Sequence, residues 1–152
     1  MSADEVSPAP VAAATAEEYA TWVTREASRV YRGHNDRGQT VLMGPRDEPG
    51  AFTPGELLKI ALAGCAGMTA DGVIARRIGA DAPVTIGVTT QNHETEDRFT
   101  RFDETVRLDL SGLSNPQRAE LAVVVERAIG RGCTVGLTLL SGADIFVDIR
   151  QA

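Results

Sequence analysis

The chain has 152 residues, 15 of them basic and 21 acidic, for a net charge of −6, and a mass of 16.1 kDa. That length suits one domain and is short for two, and at this mass folding can bury about two-thirds of the surface of the open chain. The acidic balance argues against a nucleic-acid binder or an anionic-membrane binder held by bulk charge.

Residues 1–18 contain Asp4, Glu5, Glu17 and Glu18, no base, no aromatic residue and no apolar period. They read as a disordered acidic tail in front of a single domain spanning residues 19–152. From Tyr19 to Arg32, Trp22, Val23, Val30 and Tyr31 alternate with Thr and Arg as in one bent strand or two short ones. Gly33-His34-Asn35-Asp36-Arg37-Gly38 suits a hairpin turn, with Gln39 to Met43 as the returning strand.

Thr53-Pro54-Gly55-Glu56 is a capping box with Pro at the first helical position, and it predicts a helix running to Ile78 or Gly79. The first half of that helix is apolar nearly all round (Leu57, Leu58, Ile60, Leu62, Met68), so it should be buried rather than laid on a surface. One chain has little else with which to cover it. A dimer with the central helices near the two-fold axis is therefore expected.

Pro83 to Gln91 and Phe102 to Leu110 alternate with period two and predict strands, joined by the polar stretch Asn92 to Arg101. Ser114-Asn115-Pro116-Gln117 is a second capping box, and Leu121, Val124, Val125, Ala128 and Ile129 follow at helical spacing before Gly130 and Gly132. A short segment, Cys133 to Leu140, precedes a closing strand from Asp144 to Ile149 with Ile145, Val147 and Ile149 on one face. The order β-β-α-β-β-α-β, with strands in hairpin pairs between long helices, indicates an α+β fold with antiparallel sheets.

The most apolar stretch, Leu57 to Ala70, is interrupted by Lys59 and is shorter than the roughly 20 apolar residues of a membrane span. No secretory signal is apparent, so a cytoplasmic location is expected, with both cysteines as resting thiols. Neither Cys65 nor Cys133 has a Cys or His two to four residues away, as a zinc site would require, and no metal is expected. Taken alone, each cysteine reads as a small buried hydrophobe. His34 and His93 both fall in polar turns and read as solvated loop residues.

The surroundings of the two cysteines say more. Phe52-Thr53-Pro54-Gly55-Glu56-Leu57-Leu58-Lys59-Ile60-Ala61-Leu62-Ala63-Gly64-Cys65 resembles the helix of the OsmC/Ohr family that leads through small residues to a peroxidatic cysteine. Gly132-Cys133-Thr134-Val135-Gly136-Leu137-Thr138-Leu139 is similar to that family's second cysteine motif. Together the two motifs place the resemblance over residues 19–150.

The resemblance implies a thiol-dependent peroxidase acting on organic hydroperoxides, built as an intertwined homodimer, with no cofactor. By carry-over, Cys65 is the peroxidatic thiol and Cys133 the resolving one. A dithiol, often a lipoylated protein, reduces the resulting disulfide. A buried mid-helix thiol is also expected to need a cation, and the family uses an Arg from the N-terminal β region together with a Glu near the start of the helix. Arg46 lies nearest that position, with Arg37 as competitor. The family's Glu directly follows the Pro, where this chain has Gly55, and the acid is displaced to Glu56. On an ideal helix Glu56 stands about 13.5 Å along the axis from Cys65 and on the opposite face. It is thus either a residue of a partner subunit's site or the capping-box acid. The alternative to an enzyme is a non-catalytic dimer of the same fold that binds a small apolar or thiol ligand.

Overall fold

The computed structural model describes residues 19–151, and the tail expected over residues 1–18 lies outside them. The described residues fall into two compact units, one made of the chain up to Pro54 together with the residues from Phe146 on, the other of Gly55–Ile145.

The first unit holds a three-stranded antiparallel sheet of β1 (Thr21–Ala27), β2 (Val30–Asn35) and β3 (Thr40–Met43), in that order. Two strands form where one bent strand was the alternative. Gly33 and His34, expected in the turn, belong to β2: Gly33 pairs with Val41, and a Cβ on it would come within 3.0 Å of Val41 Cγ1. His34 is correspondingly no solvated loop residue. Its ring stacks on Trp22 at 5.3 Å, and its Nε2 lies 2.8 Å from the Thr24 hydroxyl. The turn narrows to Asp36–Gly38, where the Asn35 side-chain oxygen accepts the N–H groups of Arg37 and Gln39, both at 3.0 Å, and Gly38 takes φ 85. An Asn that hydrogen-bonds the backbone ahead of it, followed by a residue free to adopt positive φ, is a local recipe for such a reversal.

The second unit contains α1 (Pro54–Ile78), the hairpin of β4 (Val84–Asn92) and β5 (Phe99–Leu108), α2 (Asn115–Gly132) and α3 (Thr134–Ser141). Helix α1 starts at the expected proline and stops before Gly79, at φ 104. The capping box of α2 forms as read: the Ser114 hydroxyl accepts from Gln117 N–H while the Gln117 side chain returns to the Ser114 N–H at 2.9 Å. Leu62, Ala66, Ala70 and Ile74 form the buried stripe of α1, four residues apart, as a helix with one covered face requires. The N-terminal part of this stripe packs with Cys133 and the C-terminal part with Leu121 and Val125 of α2. Ile86, Val88 and Phe102 of the hairpin close on the first cluster and Leu108 on the second. By length and composition α1 is a helix that could cross a membrane, contrary to the expectation of no such segment; its buried stripe is that of a core helix.

The C-terminal region departs from the expected order in two places. The short segment after Cys133, which that order leaves without an element, is a two-turn helix, α3. Asp144 to Ile149 does not form a strand, and Ile145, Phe146, Val147 and Ile149 are 84–91% exposed. An alternating pattern becomes a strand only when a neighbouring edge takes up its N–H and C=O groups. Among the described residues this segment has no such neighbour.

Candidate functional site

Cys65 sits midway along α1, one turn before Thr69, whose hydroxyl donates to the Cys65 carbonyl at 2.7 Å. Small residues make room around the thiol. Ala61, Gly64, Cys65, Met68 and Thr69 line an open apolar depression of about 520 Å³, and Met68 at its edge is 85% exposed. The thiol is thus half-buried, with an approach over apolar surface.

Cys133 is placed by two helix ends. It closes α2, donating its N–H to Ile129 O at 3.0 Å, and it caps α3, where its sulfur accepts the Gly136 N–H at 3.3 Å. Glycines on both sides allow this. A Cβ on Gly132 would lie 2.7 Å from Thr69 Cγ2, and one on Gly136 would lie 3.2 Å from the Cys133 sulfur. Cys133 is fully buried, and its thiol and that of Cys65 influence each other's ionisation. Both sulfurs are free thiols.

The two thiols differ in charge preference. The backbone N–H of Val135, at the N-terminus of α3, holds the Cys65 thiol below the ordinary cysteine value, helped by the Cys133 thiol, the Thr134 N–H and the Thr69 hydroxyl, against the effect of burial. Burial pushes Cys133 in the opposite direction, and the neighbouring Cys65 adds to it. Far from the start of its own helix, Cys65 is expected to need a cation. The structure brings a different helix start to it, and the first N–H groups of α3 are the donors an anion meets there. No arginine is among the groups that lower this thiol.

The two candidate arginines lie in the other unit. Arg37 is in the β2–β3 turn, three-quarters exposed, with a guanidinium nitrogen 3.6 Å from Asp36. Arg46 follows β3 and lines a groove with Arg29, Tyr31, Met43 and Pro45. Glu56 stands in the first turn of α1. Gly55, where the family resemblance calls for a Glu, is covered by an aromatic ring: a Cβ there would be 3.3 Å from Phe99 Cζ. Lys59, one turn on, lies over the same ring at 5.7 Å from its centroid. Among the described residues no group of three or more His, Cys, Asp or Glu is arranged to hold a metal ion.

Comparison with known proteins agrees with this architecture. The OsmC family, described as OsmC-like protein, matches residues 46–148. An uncharacterized protein of Mycobacterium tuberculosis is 44% identical over 128 residues, spanning 84% of this chain and 93% of its own length, and one of Mycobacterium bovis matches to the same extent. Among solved structures, a Psychrobacter arcticus protein named for osmotic stress induction and a detoxification response superposes with a TM-score of 0.61 at 19% identity, covering 79% of this chain and 87% of that one. An OsmC-like protein of unknown function from Vibrio cholerae gives 0.57 at 15% identity, covering 78% and 90%. The second cysteine motif, the α+β order and the match over residues 46–148 converge: this chain belongs to the OsmC family.

Proposed function

We propose that the protein is a thiol-dependent peroxidase that reduces organic hydroperoxides in the cytoplasm. The observation that carries this reading is the Cys65 thiol lowered by the N–H groups at the start of α3, next to a buried second thiol that burial pushes up, on an apolar depression. A thiolate so held attacks the distal oxygen of ROOH. The O–O bond breaks, the alkoxide leaves and takes up a proton as ROH, and Cys65 is left as sulfenic acid. The Cys133 sulfur then displaces hydroxide from that sulfenic sulfur, and the Cys133 proton completes a water molecule as the Cys65–Cys133 disulfide forms. A dithiol, free or carried by a lipoylated protein, returns both cysteines to thiols and is itself oxidised to a disulfide. Arg46 or Arg37, and Glu56, are the residues that would assist from the family's pattern.

The working form we propose is a homodimer. On α1, Ile60 and Met68 remain exposed although the opposite stripe is buried, and the alternating segment Ile145–Ile149 is exposed throughout. A second copy would cover both kinds of surface.

Gly55 favours a second reading. With the Phe99 ring over the position of the expected Glu, the same depression would serve a non-catalytic dimer that binds a small apolar or thiol-bearing molecule. Intact mass measurement after adding one equivalent of an organic hydroperoxide to the reduced protein separates the two. The enzyme loses two hydrogens in one step as both thiols disappear, and Cys133→Ser stops at a sulfenic acid on Cys65. Oxidation of both cysteines no faster than a free thiol would leave the binding reading.

A further inference from the structure

The face of the β4–β5 hairpin that packs on the helices carries a carboxylate. Glu104 stands directly opposite Val88 in the antiparallel register, and Phe102 and Val106 flank it on the same side of β5. Val88 and Phe102 pack against the cluster of Leu62, Ala66 and Cys133. Glu104 and Ile129 together line a groove of about 850 Å³ between β5 and α2, and Ile129 also packs against that cluster. The adjacent acid, Asp103, lies on the other side of the strand and pairs with Arg101 at 2.6 Å.

Glu104 itself is exposed, but its place on β5 shares a face with residues that pack around Cys133. We propose that Glu104 is a positioning residue of the thiol pair, whose negative charge adds to burial in disfavouring a charge on Cys133 and so favours the single negative charge of the pair at Cys65. This role rests on the reading of Cys65 as the reactive thiolate.

Two neighbouring thiols share one ionisation unless their surroundings differ, and a charge on the buried Cys133 sulfur would be one that no peroxide can approach. The N–H groups of Val135 and Thr134 favour the anion at Cys65. Burial is the main reason the Cys133 thiol stays high, and the charge of Glu104 adds to it. Burial also raises the Glu104 carboxyl, with no arginine offsetting it. The other charged groups facing this region are Arg107, Arg118 and Glu126 on the walls of the groove. From α1 comes the Cys65 thiol itself, while Lys59 lies over Phe99. Side chains of α3 add no titratable group.

The test uses Cys65→Ser, in which Cys133 is the only thiol of the chain, and follows its ionisation by ultraviolet thiolate absorbance as the pH is raised. Adding Glu104→Gln should lower the Cys133 midpoint by roughly 0.3–0.5 unit, the scale of one exposed charge acting through a largely solvated site. Glu104→Asp, which keeps a charge, should lower it less. In the two-cysteine protein, Glu104→Gln should also raise the fraction of a limiting alkylating agent found on Cys133. A Cys133 midpoint unchanged by Glu104→Gln, in protein whose circular dichroism is native, overturns the proposal. These readouts need no hydroperoxide, so the proposal can fail while the peroxidase reading stands. Conversely, a wild-type protein inert to hydroperoxide would sink that reading and leave the titration result standing.

Discussion

Gly132 and Thr69 meet so closely that a Cβ on the glycine would lie 2.7 Å from the threonine Cγ2. This contact joins the end of α2 to the turn of α1 that follows Cys65, and it sets how near Cys133 is carried to Cys65. Gly132 is therefore a residue of spacing, not of backbone conformation: its φ is not among the positive values of the chain.

Gly132→Ala should force α1 and the α2–α3 junction apart. Overpacking of this kind costs about 1–3 kcal/mol, which thermal unfolding should register as a Tm lower by several degrees. The same displacement should slow disulfide formation after one equivalent of oxidant, because a disulfide tolerates little error in the separation of its ends. A variant with wild-type Tm and wild-type disulfide rate would show that the helices adjust freely at this contact.

The pH dependence of alkylation tests the α3 donors. A thiol whose value is lowered ionises earlier as pH rises, so the Cys65 rate should reach half its maximum below the pH at which an ordinary cysteine does. Cys133, displaced upward, should lag behind an ordinary cysteine. Thr134→Pro removes one of the two N–H donors while suiting the first position of α3, because proline fits there and Cys133 before it is already extended at ψ 96. The Cys65 midpoint should then rise. An unchanged profile in Thr134→Pro would mean that this donor does not help hold the thiolate.

Light scattering at micromolar concentration should give twice the chain mass of 16.1 kDa. Ile145→Asp with Val147→Asp places two charges on one face of the exposed C-terminal segment. Each large apolar side chain withdrawn from an interface forfeits about 1.5–3 kcal/mol, so the pair should weaken association by roughly a hundredfold or more and yield monomer. A wild-type monomer would reject the dimer, and an unaffected dimer in the double variant would exclude this segment from the interface.

The elements legible in the residues alone are those whose causes are local. Ser114 and Gln117 cap α2 because their side chains reach the backbone three residues away, and Asn35 turns the chain by bonds to Arg37 and Gln39. Period-two alternation placed β4 and β5, and the two cysteine motifs carried the family. Contacts between distant residues follow from how the elements pack. Apart from Thr69 one turn on, the groups that lower the Cys65 thiol come from far along the chain: Thr134 and Val135 at the start of α3, and Cys133. Glu104 interrupts an otherwise apolar alternation, a visible signal whose meaning depends on the thiol opposite. The segment from Ile145 to Ile149 shows the limit most plainly, since alternation fixes which side chains share a face, but a strand exists only where another backbone edge takes up its hydrogen bonds.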